Sequence, residues 1–181
     1  MASRSRSLGH IARHFDIRDW INSLVALRFG NDRDAAIVGT SMIDRGLEAA
    51  ILREFVALSK RQIEAIFEGN GPLISLSAKI KIGYALGIFA EHARDDLEKI
   101  RKVRNAFAHS IQEVSFDTPE VRDICNSISF PGQVKEIEPR IDQDWEIDTP
   151  KGKFLMAVFL YANLFLCAPE TPSPSPDKPG K

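Results

Sequence analysis

Three polar residues in the middle of the chain, Arg104, Asn105 and His109, have side chains that could do chemistry. Arginine binds phosphate oxygens through its forked guanidinium group, and histidine takes up and releases protons near neutral pH. All three lie in residues 100–110, which the spacing of apolar residues predicts to be the end of a helix from about residue 91 to about residue 108. What these side chains contact therefore depends on how that helix packs.

Arg104 is predicted to face the protein interior. At roughly 100° per residue, the apolar side chains of this helix share one wide arc, and Arg104 falls inside it. The apolar residues of the arc are Leu97, Ile100, Val103, Phe107 and Ala108. An arginine on a core face is costly unless a carboxylate meets it there. Asn105 and His109, one helical turn apart, lie at or beyond the edge of the arc.

The carboxylates that could meet Arg104 lie on the longest predicted helix, from about residue 32 to about residue 59. This helix carries apolar side chains on nearly all of its faces, which is typical of a central, buried helix. Asp44 and Glu48 interrupt one of its apolar rows, one turn apart. We therefore predict a structural ion network of Asp44, Glu48 and Arg104. This network either only fixes the register of the two helices or also holds Arg104 at the floor of a cleft, with Asn105 and His109 at its lip.

The remaining patterns predict an all-α fold, a single-domain bundle of six or seven helices around the long buried central helix. One arc of that central helix carries small residues that would let a neighbouring helix approach closely: Ala35, Gly39, Gly46, Ala50 and Ala57. The other helices are predicted at about residues 16–29, 60–67, 75–88, 118–128 and 153–167, with a strand or extended arm at 111–116 and a loop at 129–148. The helical domain is expected to span residues 16–168, between a disordered N-terminal tail (1–15) and a disordered Pro/Ser-rich tail (169–181).

Composition favours a soluble, cytoplasmic protein. The chain has 24 basic and 25 acidic side chains, a balance that argues against gripping a nucleic-acid backbone as the main function. No stretch reaches the roughly 18 apolar residues that a membrane span requires. Cys125 and Cys167 are far apart in the sequence and are expected to be reduced, buried thiols.

No cofactor and no metal are expected. His10, His14 and His92 show no ligand spacing, and the chain contains neither a Gly-rich phosphate loop nor a nucleophile elbow. The apolar helix at 153–167 offers more apolar surface than a small monomer is expected to cover, so a homodimer is predicted.

Several segments, taken in order, resemble the mannitol operon repressor family. They are FEGNGPL at 67–73, SAKI at 77–80, YALG at 84–87, IRKVRNAFAH at 100–109 and SFD at 115–117. The resemblance covers roughly residues 32–128 and implies a compact helical bacterial protein associated with the regulation of sugar-alcohol uptake genes. The sequence contains no helix-turn-helix with a basic recognition helix. We therefore expect a transcriptional regulatory protein that acts through a protein partner.

A second resemblance provides an alternative function. The pattern Arg104-Asn105-x-x-x-His109 is similar to the Arg-polar-x-x-x-His signature of HEPN-type ribonucleases, which are helical and usually dimeric. It implies a metal-independent RNA-cleaving enzyme or toxin. His109 would be the acid and base, Arg104 would stabilise phosphate charge, and Asn105 would orient the substrate or the histidine. Because residues five apart on an ideal helix point about 140° apart, Arg104 and His109 converge only if the helix ends or distorts there, or in a dimer.

Overall fold

The structure, a computed structural model, describes residues 17–129 and 148–167. All regular structure within these ranges is helical, which confirms the predicted all-α bundle. The seven helices are α1 (Ile17–Phe29), α2 (Asp32–Glu54), α3 (Lys60–Phe67), α4 (Leu76–Ala85), α5 (Glu91–His109), α6 (Pro119–Asn126) and α7 (Pro150–Cys167). Both predicted tails and nearly all of the predicted 129–148 loop lie outside the described residues.

The central helix of the bundle is α2, which packs against α1, α4, α5 and α7. Two of its small residues, Gly39 and Gly46, face α7. A Cβ atom added at Gly39 would lie 3.4 Å from Val158 Cγ2, and one added at Gly46 would lie 3.3 Å from Phe165 Cβ. Glycine at these positions therefore lets α2 and α7 approach closely.

The helix α2 ends at Glu54, five residues before the predicted end. Phe55 leaves the helix with an extended backbone (φ −89°, ψ 154°), so Ala57 lies beyond the helix and is exposed. Residues 55–58 are not helical and lead to the next helix. Ser59 is the N-cap of α3, where its side chain and that of Gln62 form a reciprocal capping box. A residue that starts α3 in this way cannot also continue α2.

The turn between α3 and α4 sets where α4 begins. A Cβ atom added at Gly71 would collide with the carbonyl oxygen of Ile66, while Leu73 N donates a hydrogen bond to that same oxygen at 2.9 Å. The turn leads to Ser75, whose Oγ accepts a hydrogen bond from Ala78 N at 3.1 Å and caps α4. These contacts place α4 against both α2 and α5.

The segment predicted as a strand or extended arm, 111–116, contains no strand. It is held instead by Phe116, whose ring lies 5.0 Å from the Phe107 ring and 5.2 Å from the Phe154 ring, centroid to centroid. The backbone N–H of Phe116 donates to Asp32 Oδ2 at 3.0 Å. The alternating pattern therefore reflects one anchoring aromatic residue rather than pairing with another strand.

Most of α7 is buried within the chain, where it packs against α2, α6 and α1. Phe154, Tyr161 and Phe165 are fully enclosed, and the most exposed large apolar side chain on the helix is Leu164, at 41%. The apolar surface that suggested a homodimer is thus covered by the chain's own helices. Homodimerisation therefore stays a prediction, and the apolar surface of α7 no longer supports it. None of the helices in the described ranges is long and apolar enough to cross a membrane.

Candidate functional site

The two carboxylates on α2 form ion pairs with Lys79, not with Arg104. Lys79 Nζ lies 2.9 Å from Asp44 Oδ2 and 2.8 Å from Glu48 Oε2, and the lysine is only 2% exposed. The same ammonium group lies 5.8 Å from the centroid of the Phe67 ring. The predicted network therefore has the expected anions and a different cation, because α4 packs on α2 at the level of the carboxylate row.

The spacing of residues in α4 indicates that Lys79 is buried. Leu76, Lys79, Ile80 and Gly83 follow the i, i+3, i+4, i+7 pattern of a helix face that is turned to the core. Lys79, Ile80 and Gly83 are indeed buried, whereas Lys81 is exposed. The pattern identifies a buried lysine, which requires a counter-charge just as a buried arginine does.

Arg104 lies half-buried on α5 and has no carboxylate partner in the part of the chain that the structure describes. Its Nη1 donates a hydrogen bond to Asn105 Oδ1 at 3.2 Å. One turn earlier, Arg101 forms an ion pair with Glu98 at 2.8 Å. Of these two arginines, only Arg104 keeps a charge without a fixed counter-ion.

A cavity of about 440 Å³ lies between α2, the start of α4 and α5, and we call it the α2–α4–α5 cavity. Three helices contribute polar side chains to it, and Ile74 and Leu76 add apolar surface. The lining residues are Thr40, Ser41, Asp44, Ile74, Ser75, Leu76, Ser77, Arg101, Arg104 and Asn105. The structure thus brings Asp44, Arg104 and Asn105 to one cavity without an ion pair between Asp44 and Arg104.

His109 is not part of this cavity. It is the last residue of α5 and is exposed, and the backbone leaves the helix at Ser110 (φ −72°, ψ 129°). A histidine at this position interacts favourably with the negative end of the helix dipole. The ribonuclease alternative needs Arg104 and His109 to face one site, and within a single chain the described residues do not bring them together.

A second buried polar cluster, which the residue patterns of the sequence did not indicate, centres on Asp96. The residue is 0% exposed, and its Oδ2 accepts a hydrogen bond from the Tyr161 hydroxyl at 2.8 Å. Its Oδ1 accepts from Ser129 N at 2.8 Å and from Lys99 Nζ at 3.1 Å. Burial, together with the bond to Asp96, holds the pKa of Tyr161 far above its ordinary value, so the phenol stays a donor. Asp96 therefore ties α5 to α7 and to the segment after α6.

Cys125 is a structural thiol rather than a nucleophile. It is a free cysteine with no exposed surface, and burial raises its pKa to about 12, against a small opposing effect of Lys153. A thiol with a raised pKa carries almost no thiolate at neutral pH.

Cys125 makes the stability of the fold sensitive to alkaline pH. Because its folded pKa lies above the unfolded value, its contribution is fully present below about pH 9 and is lost as the pH rises towards 12. We expect the free energy of unfolding to fall by up to about 1.4 kcal/mol per pH unit in that window. Urea unfolding of the wild type and of Cys125→Ala between about pH 8 and 10.5 measures this. Parallel pH slopes in the two proteins would contradict the assignment.

The described helices and their polar cavity define an all-α domain organised around one buried helix. A sequence model described as mannitol repressor matches residues 38–156, which is more than half of the chain. The chain therefore belongs to the mannitol repressor family. The family resemblance drawn from its sequence segments is confirmed.

Individual relatives agree with this assignment. The mannitol operon repressor of Escherichia coli strain K12 is 31% identical over 62 residues, which are 34% of this chain and 32% of the relative, and the protein of strain O6:H1 gives the same values. The alignment thus spans about a third of the length of these relatives. The X-ray structure of the MtlR-HPr complex from Escherichia coli is similar to this fold, with a TM-score of 0.59 at 18% identity, covering 79% of this chain and 95% of the other. At that identity the likeness shows the fold alone.

Proposed function

We propose that this chain is a cytoplasmic transcriptional regulatory protein that acts by binding a protein partner and has no DNA-reading module of its own. The observation that carries the proposal is the family match over residues 38–156. The solved structure of the same fold is a complex of MtlR with HPr, so a protein of this fold binds another protein. HPr is therefore the first partner to test.

The distribution of charge supports a partner other than DNA. Basic side chains along α5 are engaged in short-range ion pairs: Arg94 with Glu91 at 2.9 Å, Lys99 with Asp96 at 3.1 Å and Arg101 with Glu98 at 2.8 Å. A surface that grips a phosphate backbone needs basic side chains that are not neutralised by neighbouring carboxylates. Three of the basic side chains of α5 are thus paired with neighbouring carboxylates, which does not favour such a surface there.

Titration of the purified chain with Escherichia coli HPr is expected to show saturable binding, with a Kd of about 1–100 µM because regulatory encounters are transient. Isothermal titration calorimetry gives the stoichiometry, and sedimentation of the free chain tells whether a homodimer forms. In parallel, a mannitol operon promoter fragment and a scrambled fragment of equal length are expected to bind equally weakly at about 150 mM salt.

Two outcomes would contradict this proposal. Binding of the promoter fragment in preference to the scrambled one would show that the chain reads DNA directly. Cleavage of mixed RNA in the presence of a chelator, lost in both Arg104→Ala and His109→Ala, would instead establish the ribonuclease alternative. Absence of HPr binding by a folded chain would exclude HPr as the partner and leave the family assignment unchanged.

A further inference from the structure

We propose that the α2–α4–α5 cavity binds the phosphate group of a small phosphorylated metabolite that carries several hydroxyl groups. Its volume of about 440 Å³ is within the range of small-molecule sites, roughly 300–1,000 Å³. The inference rests on the cavity alone and does not depend on the binding of a protein partner.

The charges around the cavity favour an anion. Two arginines, Arg101 and Arg104, line it against one carboxylate, Asp44, which shares the Lys79 ammonium group with Glu48. Arg101 is likewise committed to Glu98. Arg104 alone brings a half-buried positive charge without a carboxylate partner in the described ranges, an arrangement that costs stability unless an anion offsets it. A phosphate oxygen pair matches the forked donors of a guanidinium group.

Further donors lie beside Arg104. Asn105 also lines the cavity and accepts the hydrogen bond from Arg104 through Oδ1, and its side-chain NH₂ group is a further donor. Across the cavity, Ser77 contributes a hydroxyl group near the start of α4, where the first backbone N–H groups have no acceptor within the helix. Together with the arginine, these groups match the several acceptor oxygens of a phosphate better than the two of a carboxylate.

The opposite wall suits the remainder of the ligand. Ser41 and Asp44 of α2 line it with a hydroxyl and a carboxylate, which accept hydrogen bonds from ligand hydroxyl groups. Ile74 and Leu76 provide apolar surface at the edge. This combination favours a phosphorylated polyol or sugar over a phosphate attached to an apolar group.

The test measures direct binding to the intact chain by isothermal titration calorimetry at low salt. The probes are a hexitol phosphate, inorganic phosphate and the unphosphorylated hexitol. We expect the hexitol phosphate to bind most tightly, inorganic phosphate more weakly and the hexitol not measurably. Arg104→Gln is expected to weaken binding by about tenfold or more, since a hydrogen-bonded charge is lost. Arg104→Lys keeps the positive charge but lacks the forked donors, so its affinity is expected to lie between those of the wild type and of Arg104→Gln.

Matched variants separate this site from general charge effects. Lys102→Gln removes one positive charge from the exposed side of α5 and is expected to leave binding unchanged. Ser77→Asp places a negative charge at the start of α4, which favours the helix and opposes an anionic ligand, so binding is expected to be lost while the helical circular dichroism signal is kept. Three results would overturn the proposal: no binding of any phosphate compound, equal loss in Lys102→Gln and Arg104→Gln, or equal binding of the hexitol and its phosphate.

Discussion

Replacement of Lys79 with Met is expected to lower the free energy of unfolding by about 2–4 kcal/mol. The change removes the ammonium group that lies between Asp44 Oδ2 and Glu48 Oε2, and it leaves two like charges one turn apart on α2. The estimate lies below the value for a fully buried pair because each carboxylate is about a third exposed and can recover water. Urea unfolding followed by circular dichroism measures it.

The matched control for this prediction is Lys81→Met, which makes the same chemical change on the exposed side of α4 and is expected to alter stability little. A charge-neutral triple variant, Lys79→Met with Asp44→Asn and Glu48→Gln, is expected to recover at least half of the loss, since no uncompensated charge remains. Equal effects of Lys79→Met and Lys81→Met would show that the buried ion cluster does not stabilise the fold.

Replacement of Asp96 with Ala is expected to lower the free energy of unfolding by about 3–5 kcal/mol. The carboxylate is fully buried and accepts hydrogen bonds from the Tyr161 hydroxyl, Ser129 N and Lys99 Nζ. Its loss leaves the tyrosine hydroxyl without its acceptor in the core and leaves a small cavity between α5 and α7. Thermal and urea unfolding give the change in stability.

The neighbouring residue supplies the control for this second prediction. Asp95→Ala removes an exposed carboxylate that pairs with Arg94 on the surface, and it is expected to change stability little. Tyr161→Phe removes one of the three donors to Asp96 and is expected to cost about 1–2 kcal/mol, less than Asp96→Ala. An Asp96→Ala protein as stable as the Asp95→Ala protein would contradict the role assigned to this cluster.

The helical architecture could be predicted from the sequence because it depends on the local spacing of apolar residues. The predicted limits of α3 are those of the structure, and the predicted limits of α1 and α5 differ from it by one residue. The error at the end of α2 has a local cause as well. The apolar side chains of Phe55, Val56 and Ala57 extend the spacing of α2, but residues 55–58 are not helical and lead to the capping box of Ser59 and Gln62 that starts α3.

Only part of the candidate site could be predicted from the sequence. Helical spacing predicted that Asp44 and Glu48 interrupt a core-facing row, and both carboxylates do pair with a buried cation. Spacing within one helix does not tell which neighbouring helix faces that row. Arg104 and Lys79 both lie on core-facing arcs, so the choice between them depends on the packing of α4 against α2.

The all-α class, the central position of α2, the family and the presence of buried charged groups that need partners can all be predicted from the sequence. These properties follow from periodicity, turn residues and ordered segments, which act over a few residues at a time. The packing of whole helices places Lys79 against Asp44 and Glu48 and places Asp96 against Tyr161, and it turns Arg104, but not His109, towards a cavity. Ion pairs and cavities join residues far apart in the chain, so their partners are set by the way whole helices pack.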